Sequence, residues 1–105
     1  MNIFEFEAPH QSREIINILK ESNTHRIERI VSNGTASPEG FWYDQSESEW
    51  VCVLEGYGVL EFENHKLTLT KGEYFYIPAH MKHRVAKTSS SPPCVWLCVF
   101  FKERD

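Results

Sequence analysis

The side chains best suited to chemistry gather between Gly40 and His83: Tyr43, Asp44, Gln45, Glu49, His80 and His83. His83 with Glu49 and Asp44 gives one imidazole and two carboxylates, a donor set for a divalent ion, and Gln45 can add a carbonyl oxygen. Such a set suits Mn²⁺, Fe²⁺, Ni²⁺ or Zn²⁺ with positions left open for water and a substrate, where the ion would polarise a carbonyl or bind oxygen. His80, three residues before His83, is a reserve ligand or an acid–base group, and Tyr43 is a candidate base. A structural reading stands beside this one. Asp44-Gln45-Ser46-Glu47-Ser48 is ordinary turn composition, and Glu49 and His83 would then pair with each other in a metal-free polar pocket. His80, after Pro78-Ala79, equally suits an exposed turn.

Residues so far apart in the chain need strands to bring them together. From Thr24 onwards short strand-like runs alternate with turn signals: residues 25–32, 40–45, 49–55, 58–63, 66–70, 73–78, 83–87 and 94–101. Asn33-Gly34, Asn64-His65 and Lys71-Gly72 supply turns, and Pro78 closes its strand because it has no N–H for a ladder. Runs at this spacing argue for an antiparallel sandwich or barrel. Ahead of them, in residues 12–22, Ile15, Ile18 and Leu19 follow the i, i+3, i+4 pattern with Ile16 alongside, which predicts one short N-terminal helix. The expected organisation is thus residues 1–23 as a helical segment of the same domain as a barrel over 24–105.

The runs 49–55 and 94–101 are apolar on both faces. Val51 and Val53 oppose Trp50, Cys52 and Leu54, while Trp96, Cys98 and Phe100 oppose Val95, Leu97, Val99 and Phe101. A small barrel has one interior, so the second face needs a cover. The helix and a homodimer interface would supply it; the helix and the N-terminal Phe4-Glu5-Phe6 segment alone are the alternative.

Composition removes several function classes. With 41% hydrophobic and 25% charged residues in 105, the chain has enough apolar matter for one core and is not a disordered segment. Its net charge is −4 and its Lys and Arg are scattered, so no basic stripe offers itself to nucleic acid. No apolar run reaches the ~18 residues of a membrane helix, and the N-terminus is acidic where a signal peptide would be basic, which makes the cytoplasm the expected location. Cys52, Cys94 and Cys98 have no disulfide-framework spacing; on a strand Cys94 and Cys98 stand about 13 Å apart, too far for a bond or a shared metal. They read as small buried side chains. There is no G-x-S-x-G, no phosphate-cradling glycine loop and no C-x-x-C.

The order Glu49-x6-Gly56, then Gly72-x5-Pro78 followed by His83, resembles the cupin superfamily, whose motifs run approximately G-x5-H-x-H-x(3,4)-E-x6-G and G-x5-P-x-G-x2-H-x3-N. The resemblance covers roughly residues 24–101. It implies an all-β fold, a small antiparallel β-barrel or jelly roll, with a divalent metal in the barrel acting on a small carbonyl or carboxylate compound. Glu49 and His83 carry over as metal ligands. The two histidines of the first motif do not: Trp42 and Asp44, or Tyr43 and Gln45, stand in their places, and the four-residue spacing common in small bacterial cupins favours Asp44. His80 and Lys87 replace the glycine and asparagine of the second motif. Since cupins include dioxygenases, isomerases, lyases and sensors, three functions stay open. They are a metal-dependent enzyme, a module that binds or senses a small ligand without turnover, and a metal-free structural dimer.

Overall fold

Among residues 1–103, which the computed structural model describes, there are eight strands and no helix. They are β1 (Arg13–Glu21), β2 (His25–Asn33), β3 (Ser48–Glu55), β4 (Tyr57–Phe62), β5 (Lys66–Thr70), β6 (Tyr74–Ile77), β7 (His83–Thr88) and β8 (Cys94–Phe101). Antiparallel pairing arranges them as a five-stranded sheet, β1-β2-β8-β3-β6, and a three-stranded sheet, β5-β4-β7. Alternation along β3 and β8 turns Val51, Val53, Trp96 and Cys98 towards Leu60, Phe62 and Leu69 of the smaller sheet, and these side chains form the core.

The helix expected over residues 12–22 is instead strand β1. Ile15, Ile16 and Ile18 are β-branched, which costs rotamer freedom in a helix and suits a pleated surface. A partner is also at hand: β1 pairs with β2 from Arg13 opposite Asn33 to Glu21 opposite Arg26. Isoleucines on both faces of a strand reproduce the spacing that suggested a helix. Residues 40–45 also differ from expectation. They form a loop with a single bridge, Tyr43 to His83, because Gly40 takes a φ of +80° and a serine-rich turn follows.

The two sheets do not close into a barrel. Five strands face three, so β1 overhangs at the open edge, and Ile16 and Ile18 are 53% and 55% exposed there. Two close approaches hold the packed end together. Gly58 lies flat beneath the Trp96 ring, which occupies the space a Cβ would need, and the Trp96 indole donates to Ser32 Oγ at 3.2 Å. Gly56 turns β3 into β4 at a φ of +73°, a conformation that costs an L side chain about 1–2 kcal/mol.

On the outer face of the large sheet, the N-terminal segment takes over part of the cover expected from a helix. Arg29 donates to the carbonyls of Ile3 and Glu5 and lies over the Phe6 ring. The three cysteines are unpaired and buried, as small apolar side chains.

Candidate functional site

Glu49 stands near the start of β3, between Phe100 of β8 and Ile77 of β6. A central strand with a ladder on each side gives its carboxylate little freedom. His83 opens β7, opposite Phe62, and its backbone exchanges hydrogen bonds with Tyr43 at 2.7 and 3.2 Å. Its Nδ1 lies 2.9 Å from the Met81 carbonyl oxygen, which only accepts, so Nδ1 carries a proton. Nε2 is thereby left to face Glu49, 3.5 Å from Oε1. Both side chains are buried, with 5% of His83 and 10% of Glu49 exposed. Gln45 donates to the same Glu49 oxygen at 3.2 Å, and the Tyr43 ring stacks on the His83 imidazole with centroids 5.3 Å apart.

These contacts set the electrostatics. Burial disfavours the His83 imidazolium, but the Glu49 hydrogen bond, the Met81 carbonyl and the Glu49 charge outweigh it and hold the pKa above the ordinary histidine value. Tyr43 is raised chiefly by burial and then by Glu14 and Glu49, which makes its phenolate harder to form and the phenol a poor base. Burial, with Glu49 and Glu28 nearby, pushes the Cys98 thiol well up, so it stays neutral.

Asp44 and His80 go elsewhere. They form their own pair at the rim, Oδ1 to Nδ1 at 2.8 Å, with 43% and 69% of their side chains exposed. His80 adopts a φ of +64°, and its N–H donates to the Gln45 carbonyl at 2.8 Å, fastening the 40–47 loop to the loop before β7. The structure therefore brings Gln45, Glu49, His83 and Tyr43 together and sets Asp44 and His80 apart from them.

Between the sheets, Glu49 and His83 border a cavity of about 220 Å³ walled by Val51, Leu60, Trp96 and Phe100. Three further charged side chains line it that motif spacing does not mark: Glu14, Arg26 and Glu28. Arg26 binds Glu28 at 2.6 Å and Glu47 at 3.3 Å, and lies 4.3 Å over the Phe100 ring. For Arg26 and Glu28 one signal is visible in residues 25–32. Alternation puts Arg26, Glu28, Ile30 and Ser32 on one face of a strand whose neighbours are buried, so charged side chains point inwards.

The donors present do not fit a resident divalent ion. Catalytic zinc sites keep three protein ligands; here Glu49 and His83 supply two, and Asp44, the expected third, is turned to His80 at the rim. Among the described residues no three His, Cys, Asp or Glu side chains are grouped to hold a metal.

Residues 29–100 match the family model of the cupin domain. The chain is a cupin. Solved structures place it in the same company. It superposes on a protein of Ralstonia eutropha JMP134, provisionally described as a mannose-6-phosphate isomerase, with a TM-score of 0.91 and 40% identity over 98% of this cupin and 97% of that chain. A cupin superfamily protein of Desulfitobacterium hafniense DCB-2 gives 0.79 at 18% identity over 93% and 84% of the two chains. KdgF from a Halomonas species gives 0.74 at 18% identity over 92% and 87%. At that identity the last two speak for the fold alone. Among proteins of curated function, none matches the sequence.

Proposed function

We propose that this cupin binds a small carbonyl compound in the cavity between its sheets and moves a proton on it with the Glu49–His83 pair. The carrying observation is the geometry of His83: Nδ1 anchored on Met81 O, and Nε2 held 3.5 Å from Glu49 inside a mostly apolar cavity. An imidazole fixed in one tautomer beside a carboxylate can accept a proton at Nε2 and return it, and Glu49 stabilises the imidazolium in between. Tyr43, stacked on the ring, keeps the imidazole plane from turning. Gln45 orients the carboxylate.

A divalent ion, expected from the resemblance, has no part in this mechanism, because among the described residues no third His, Cys, Asp or Glu is grouped with Glu49 and His83 to hold one. The test is solvent-deuterium exchange into a panel of small aldehydes, ketones and aldoses by chelator-treated protein. Exchange that needs no added metal and disappears in Glu49→Gln supports the mechanism. Exchange restored only by Mn²⁺, Fe²⁺, Ni²⁺ or Zn²⁺ overturns it, and binding without exchange makes the protein a ligand-binding module instead.

We also propose a homodimer formed through the outer face of the large sheet. Trp50 and Leu97 remain half-buried there, and Tyr74 and Tyr76 beside them are 63% and 42% exposed. That row lies away from the strand the N-terminal segment covers, and its apolar area is what a second copy would bury. Sedimentation should give a dimer for the wild type and a folded monomer for Trp50→Glu; a wild-type monomer rules the dimer out. Three unpaired cysteines suit a reducing compartment, the cytoplasm.

A further inference from the structure

The cavity has an excess of negative charge that neither the fold nor the Glu49–His83 pair requires. Three carboxylates line it, Glu14, Glu28 and Glu49, against Arg26 and His83. The one guanidinium is already committed. Arg26 Nε is bound to Glu28 at 2.6 Å, its two terminal nitrogens each reach a Glu47 oxygen at 3.3 Å, and its face covers the Phe100 ring. Two carboxylates on one cation leave that corner net negative. His83 Nε2 is likewise turned to Glu49. Arg13 opens on a neighbouring outer cleft, next in sequence to Glu14, and does not line the inner cavity.

We infer that this cavity selects by charge: it takes ligands carrying an ammonium or similar cationic group, accepts neutral ones less well, and rejects carboxylates and phosphates. The inference deepens the function proposed above and depends on the cavity being a ligand site. An anion entering it would have to break the Arg26–Glu28 contact or face carboxylates across a low-dielectric gap, where like charges repel far more than in water. A cation meets the opposite field, and the exposed edge of β1 gives it a wet approach past Glu14, which is on the surface side. The substrate class is thus an amino-substituted carbonyl compound. A sugar phosphate, the kind of ester in the description of the Ralstonia protein, finds no uncommitted cation among the described residues that line the cavity.

The test uses matched sets of small compounds in which one carbon skeleton carries an amine, an alcohol or a carboxylate. Binding is read by NMR at the Trp96 indole and the His83 ring of the full chain. The expected order is amine, alcohol, carboxylate, with roughly tenfold or more between the ends. Glu28→Gln, which removes one of the two carboxylates held by Arg26 and leaves Glu47 as its only one, should shrink that gap and let carboxylates bind less poorly. Glu14→Gln, on an exposed edge strand and tolerant of change, should weaken amines alone if Glu28→Gln does not fold. Carboxylates or phosphates binding best would overturn the charge inference while leaving the ligand site standing. No binder of any charge would remove both.

Discussion

Among the described residues there are two carboxylate–imidazole pairs, and the shorter one matters less. At the rim, Asp44 and His80 meet at 2.8 Å, but about half of their combined surface lies in water. Inside, Glu49 and His83 stand 3.5 Å apart and are almost wholly buried. Exposed pairs are screened by solvent and give up side-chain freedom to form, so their net worth is about 0–1 kcal/mol. In the buried pair the medium is less polar, and loss of one partner strands the other without water. Depth, rather than distance, separates a fastening from a working pair.

The comparison breaks most visibly at Glu49. Glu49→Gln should lower proton exchange by roughly 10²–10⁴-fold, the usual worth of a positioned acid–base group. His83→Ala should do the same and also cost about 1–3 kcal/mol in denaturant unfolding, since it leaves the Glu49 carboxylate without its partner. If either variant kept full exchange, the inner pair would be no more than structure.

The second effect is a pH dependence with a defined sign. The His83 pKa is raised in the folded protein, so the stability the pair contributes is fully present below the unfolded histidine value of about 6.5. It is lost as pH rises through the folded value. Thermal melting from pH 6 to 9 should show that loss in the wild type. In Glu49→Gln burial becomes the dominant influence on His83, and the same scan should flatten or reverse. Equal slopes in the two proteins would contradict this assignment.

The rim pair should give the smallest response. Asp44→Asn and His80→Ala are each expected to change stability by less than about 1 kcal/mol, and by less at high salt. A larger loss at His80 would point to its left-handed backbone and the bond to Gln45 rather than to the charge, and His80→Gly would then restore it.

The contrast between the pairs also explains what could be read before the fold was known. Glu49, Gly56, Gly72, Pro78 and His83 are held at fixed spacing by strand lengths and tight turns, so the cupin frame and its two inner residues were legible. Asp44 against Gln45 was not, because choosing by alternation presumes a strand, and residues 40–45 are a loop. The β1 strand was misread as a helix because the partner that decides it, β2, lies across a turn and leaves no mark on β1 itself. Glu14, Arg26 and Glu28 escaped notice for a related reason. Alternation groups Arg26 with Glu28, but charged residues on a strand normally mark the solvent face, and it is the packing of the two sheets that turns that face towards the cavity.

The most direct test of the inner pair is an NMR titration of the His83 ring nitrogens in the wild type and in Glu49→Gln. The expected result is a wild-type pKa above the ordinary value, a neutral form protonated at Nδ1, and a downward shift in the variant. A neutral form protonated at Nε2, or a pKa that Glu49→Gln leaves unchanged, would contradict the account.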